Sequence, residues 1–75
     1  MNSDLENSPL WGVLVETAHS LPLYKSHKAY IKEIIIPEKP DVSPEELSER
    51  MGMPLGEAMV ILDELGREKP VDKQD

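Results

Sequence analysis

Cysteine and phenylalanine are missing from this 75-residue chain, its aromatic residues are one tryptophan and two tyrosines, and eight lysines and arginines face fifteen acids. Each shortage excludes something. Without cysteine there is no disulfide and no thiolate metal centre, and a reducing, cytoplasmic setting is the natural expectation. A domain of this size buries only about 60% of its unfolded surface. Its stability therefore has to come from helix packing, a partner or self-association. The length leaves room for one domain, not for a catalytic and a regulatory one together. Residues 1–8 lack the basic start and apolar stretch of a secretory signal. Apolar runs such as Met59 to Leu62 fall far short of the roughly 18 residues that would cross a bilayer. No membrane association is expected.

What the chain does have is acid, unevenly spread. Residues 1–22 carry three acids and no base, residues 23–39 carry four lysines against Glu33 and Glu38, and residues 41–68 carry eight acids against Arg50 and Arg67. The net charge of −7 thus sits mainly on the last of these segments, and the only basic zone is Tyr24 to Lys32. A duplex carries one negative charge per roughly 1.7 Å, so such a surface is repelled by it at range.

Read for punctuation, the chain resolves into short helices. Ser8-Pro9 supplies a cap and a first helical residue, and Leu10, Val13, Leu14 and Ala18 recur at helical spacing, which predicts a helix over 9–19. Leu21-Pro22-Leu23 ends it. Tyr24, His27, Ile31, Ile34 and Ile35 then share a stripe. Tyr30 to Ile36 is β-branched enough to be a strand, and periodicity alone does not choose; a helix fraying before Pro37, followed by a loop from Pro37 to Asp41, is the expectation. Ser43-Pro44-Glu45-Glu46 matches a capping box with proline at the first helical position. Leu47 and Met51 make that helix's inner edge, and Gly52 stands where a left-handed residue would end it. Pro54 opens the next helix, with Leu55, Ala58, Met59, Leu62 and Leu65 as its inner stripe and Gly66 as its stop.

The segment Ser43-Pro44-Glu45-Glu46-Leu47-Ser48-Glu49-Arg50-Met51-Gly52-Met53-Pro54-Leu55-Gly56-Glu57-Ala58-Met59-Val60-Ile61-Leu62-Asp63-Glu64-Leu65 resembles the core of winged-helix and related helix-turn-helix domains. The resemblance covers about a third of the chain. It implies a three-helix core whose second motif helix, near 54–65, is the recognition helix in DNA-binding members. This sequence departs from that pattern twice. No β-hairpin wing fits after Leu65, and the face beside the inner stripe is Glu57, Val60, Ile61 and Glu64, which lacks the arginine, lysine, asparagine or glutamine of the usual bidentate base contacts.

An apolar and acidic stripe of that kind suits another protein, with Val60 and Ile61 as anchors and the acids as a rim. The competing reading packs Val60 or Ile61 beneath the first helix or the tail, because a small helical domain needs wide apolar faces. Lys25, Lys28 and Lys32, with Tyr24 and Tyr30, form the alternative nucleic-acid patch, aided by Arg50, Arg67, Lys69 or Lys73. The same lysines also read as a solvated helix face, or as partners of acids in the same or another copy, which favours self-association.

Chemistry-bearing patterns are weak. Glu16-x-x-His19, with His27 as a third group, reads as a solvent-facing pair, since such metal sites need several ligands from facing helices. No serine sits in a nucleophile-elbow context and the four glycines are isolated, so neither a triad nor a phosphate cradle is expected. Trp11 reads first as the anchor of the opening helix and second as an exposed hot spot. Met51, Met53 and Met59 read as adaptable core filler, and then as a plastic binding surface.

Together these features predict an all-α domain of three to four short helices over 9–66, with a helix-turn-helix at 44–65 and flexible ends at 1–8 and 67–75. The expected role is a non-enzymatic protein-interaction module, self-associating or bound to another protein, with no cofactor, metal or small-molecule substrate. DNA binding in a regulatory setting is the alternative.

Overall fold

Serine followed by proline starts two of the four helices in the computed structural model, which describes residues 8–68. The flexible ends expected at 1–8 and 67–75 lie outside the described residues except for Ser8, Arg67 and Glu68. Helix α1 spans Pro9–His19, and the Ser8 hydroxyl accepts from the Leu10 amide at 3.0 Å. Helix α3 spans Pro44–Met51, where the Ser43 hydroxyl accepts from the Glu46 amide at 3.1 Å. In both, proline takes the first position, whose amide has no partner within the helix anyway.

Helix α2 is one rod in three pieces: an α-helix over Tyr24–Tyr30, a π-helical turn over Ile31–Ile35 and a last α-turn over Ile36–Glu38. The alternative of a strand at 30–36 is thereby excluded. So is fraying before Pro37, because the helix runs through the proline. A proline ring collides with the carbonyl four residues earlier and cannot donate to it. Widening the preceding turn, so that the Ile36 amide reaches back to the Ile31 carbonyl, accommodates it. Regular spacing resumes with Lys39 N donating to the Ile35 carbonyl at 2.8 Å. The extra residue in the wide turn also changes the register. Ile31 and Ile35 stay inward, whereas Ile34, expected on the same stripe, is turned out and 45% exposed.

Helix α4 spans Leu55–Arg67 and follows α3 after the three residues Gly52, Met53 and Pro54. Gly52 adopts φ 67°, and its amide donates to the Ser48 carbonyl at 2.9 Å, the left-handed stop that the sequence implied. Ser48 Oγ donates to the Met53 carbonyl at 2.8 Å and ties the turn to α3. Gly66 does not stop α4, which continues to Arg67. No strand occurs among the described residues, so the fold is a small all-α domain without a β wing.

Ala18, Tyr24, Ile31, Ile35, Val42, Leu47, Met53, Ala58, Val60 and Ile61 form the core. Two expected stripes are corrected. On α1 the inner face is Trp11, Leu14, Val15 and Ala18, while Leu10 and Val13 are 67% and 57% exposed. Two overlapping stripes satisfy the same periodicity, and the one that buries the indole removes more apolar area from water. On α4 the face expected outside is inside: Glu57, Val60 and Ile61 are buried and Leu55 is exposed. Helix α4 packs along both α1 and α3 and is crossed by side chains of α2, so it is covered on three sides. A one-sided stripe is the wrong template for such a helix.

A methyl group added at Gly66 meets nothing within 4 Å, whereas Gly52 needs its positive φ. Urea unfolding should therefore show Gly52→Ala destabilised by about 1 kcal/mol and Gly66→Ala stabilised by about 0.5–1 kcal/mol. Shifts of the same sign in both would contradict the two backbone assignments.

A polar cluster at the junction of three helices

Helix α4 carries two carboxylates two turns apart, Glu57 and Glu64, into the region where α1 and α2 cover it. Burying a carboxylate is costly unless it is paired and hydrogen-bonded. Each is met by side chains from other helices. Glu57, 3% exposed, accepts from His27 Nδ1 on α2 at 2.9 Å. Glu64 accepts from three groups: the Tyr24 hydroxyl, His19 Nε2 on α1 at 2.6 Å and Lys28 Nζ at 3.2 Å. Lys28 also donates to Glu68 at 2.6 Å, bridging the last turn of α4. The rings of His19 and Tyr24 meet at 4.8 Å between centroids, tilted by 55°. Together with Lys25 and Arg67 the upper part of this cluster lines an open cleft of about 540 Å³.

The electrostatics run one way. Burial pushes Glu64 up, but hydrogen bonds from Tyr24, His19 and Lys28 outweigh it and leave the carboxyl below its ordinary value. Burial raises the Tyr24 phenol well above its ordinary value, reinforced by Glu64. The hydrogen bond to Glu68 raises the Lys28 ammonium against the opposing effect of burial, with Glu64 adding to the rise. Neither Glu64 nor Tyr24 is moved toward neutrality, where a general acid or base works best. The cluster clamps α1 and α2 to α4.

The candidate site residues fare differently. Glu57, Val60, Ile61 and Glu64 are neighbours on α4 as the sequence placed them, but as an inner face, with Val60 and Ile61 fully buried and Glu64 largely so. Glu57, Val60 and Ile61 are thus not exposed to a partner, whereas Glu64 keeps one side open to the cleft. Of the alternative nucleic-acid set, Lys28 is committed to Glu64 and Glu68, while Lys25 and Lys32 are exposed with no carboxylate partner among the described residues. Of the helpers, Arg50 faces Glu46 at 3.9 Å, Arg67 pairs with Asp63 at 2.9 Å, and Lys69 and Lys73 lie outside the described residues. Glu16 and His19 do not converge on His27: His19 meets Glu64 and His27 meets Glu57. Trp11 packs against the core, Met53 is buried and Met51 is half-buried.

Sequence reasoning missed the pairing of α4's acids with Tyr24, His19, His27 and Lys28. The signal was there in part, since Glu57 and Glu64 stand two turns apart amid apolar residues and therefore go inward with them. No protein-family model, curated protein sequence or solved structure matches the chain.

Because Glu64 is depressed, its contribution to stability is present above its ordinary value of 4.5 and lost as pH falls below it. Tyr24 is raised, so its contribution is present below its ordinary value of 10.0 and lost as pH rises above it. Melting temperature against pH should fall on both flanks, with Glu64→Gln flattening the acid one and Tyr24→Phe the alkaline one. Separately, His27→Leu, which leaves Glu57 buried and unpaired, should cost about 3 kcal/mol in urea unfolding. Adding Glu57→Leu should recover much of that loss; no recovery would mean that Glu57 does not depend on His27.

Proposed function

We propose that this chain is a non-enzymatic, helix-turn-helix-type protein-interaction module that presents the outward side of α2, not α4, to its partner. The observation that carries this reading is the exposure of Tyr30 and Ile34, 47% and 45%, one turn apart on α2. Leu23, the residue just before α2, is 57% exposed as well. One of only three aromatic rings is thus placed in water in a domain short of apolar mass. Exposed apolar groups in a row are a recurrent mark of protein interfaces, and tyrosine is prominent among their hot spots.

The depressed Glu64 and raised Tyr24 favour a structural polar cluster over a reaction centre. The rival reading is DNA binding in a regulatory setting. It would draw phosphate contacts from Lys25 and Lys32 alone of the three lysines, because Lys28 is held by two glutamates. The net charge of −7 opposes it, and α4 leaves little of itself outside for a groove beyond Leu55 and its last residues.

A mixed-sequence DNA duplex titrated into labelled protein at low salt, followed by amide shifts, separates the two. The interaction-module reading predicts no saturable shifts. Saturable shifts clustered at residues 24–32 would overturn it in favour of DNA. As a companion, Tyr30→Glu with Ile34→Glu should leave the melting curve nearly unchanged while abolishing protein capture from cells.

A further inference from the structure

The charges of α2 are sorted by side. Lys25 and Lys28 line the cleft beside Glu64 and Glu68, and Lys32 stands one turn after Lys28 on the same flank. Lys39, the next base, turns to Asp41 and Glu46, at 3.7 Å and 3.9 Å. The outward line that carries Tyr30 and Ile34 has acids instead. Glu38 stands one turn after Ile34, and Glu33 lies next to Ile34 and three residues after Tyr30. Both are exposed, and neither has a basic partner among the described residues. Ala29 and Pro37, exposed and uncharged, complete the strip. It therefore has an apolar centre, two unmatched carboxylates toward its end and no base.

We propose that the occupant of this strip is a basic amphipathic helix of another protein, an inference that names the partner class for the interaction-module reading and rests on it. Residues 29–38 rise along about 15 Å, some three turns. That makes a linear ridge of side chains, the shape against which a second helix packs. Apolar residues of the incoming helix cover Tyr30 and Ile34, and its lysines or arginines, one turn away, meet Glu33 and Glu38. The apolar centre supplies the affinity, and the two carboxylates select the sign of the partner. The net charge of −7 draws a basic partner from a distance, an attraction that salt weakens.

The test uses the labelled full chain and two synthetic amphipathic peptides of about 18 residues, long enough to hold a helix. Both carry a leucine face, flanked in one by lysines and in the other by glutamates. The lysine peptide should bind saturably, with amide shifts clustered at residues 29–38, and less tightly as salt rises. The glutamate peptide should not bind. Glu33→Lys with Glu38→Lys should weaken the lysine peptide at least about tenfold and admit the glutamate peptide, because the signs are exchanged. Glu45→Lys with Glu49→Lys, on α3, changes the net charge equally and should weaken the lysine peptide far less. All four sites are exposed, so circular dichroism should stay unchanged. Equal weakening by the two double variants, or shifts centred elsewhere, would overturn the assignment to α2. No binding of the lysine peptide, or binding of the glutamate peptide to the wild type at Tyr30 and Ile34, would overturn the basic partner and leave the interaction-module reading standing. Saturable binding to the duplex would instead sink that reading itself.

Discussion

One carboxylate buried in a helical core, Glu57, and a second at the core's edge, Glu64, impose the constraint on which the rest of this structure depends. Glu57 rides inward on α4 together with Val60 and Ile61, and left unmatched there it would cost several kcal/mol, a large share of the stability of so small a domain, while Glu64 stands part-buried at the cleft two turns on. Their donors come from other helices: His27 for one, and Tyr24, His19 and Lys28 for the other. Helix α2 has to lie across α4 so that its first turns reach both acids. The end of α1 has to come close enough for its last residue to touch Glu64. The polar pairs lock α1 and α2 onto α4 in one arrangement, together with the apolar contacts of Trp11, Leu14, Val15 and Ala18 on α1 and of Ile31 and Ile35 on α2.

That arrangement has a functional consequence. A helix committed on three sides has little left to offer a groove or a partner, so any recognition surface has to lie elsewhere. The outward side of α2 meets the requirement, because α2 is apolar on both sides. Tyr24, Ile31 and Ile35 face the core, and Tyr30 and Ile34 face water. The wide turn forced by Pro37 is part of this, since without its extra residue Ile34 would stay on the inner stripe.

Local signals were legible in the sequence where the chemistry is local. Ser8-Pro9, Ser43-Pro44 and Gly52 each satisfy or terminate a backbone within a few residues: α1 begins, and α3 begins and ends, where those residues put them. The all-helical class followed from the spacing. The side chosen by each helix was harder, because it depends on neighbours that sequence spacing does not place. On α1, Leu10 and Trp11 start equally regular stripes, and only the packing shows that the indole's is taken. Helix α4 was misread because the alternation of acids and aliphatics that marks a half-exposed helix also describes a buried one whose acids are paired. Pro37 reads as a stop by its chemistry, and the π-helical escape becomes visible only once α2 has core contacts worth keeping on both sides of it. The candidate site suffered most, since Val60 and Ile61 were chosen for exposure and proved to be core.

The central claim is that α4 is the buried hub of the domain. It is tested most directly by a soluble gadolinium chelate added to methyl-labelled protein, comparing signal attenuation at Val60 and Ile61 with that at Leu10 and Val13. The account predicts that the Val60 and Ile61 methyl signals stay sharp at chelate concentrations that erase those of Leu10 and Val13. Equal broadening of the two sets would put α4 at the surface and contradict it.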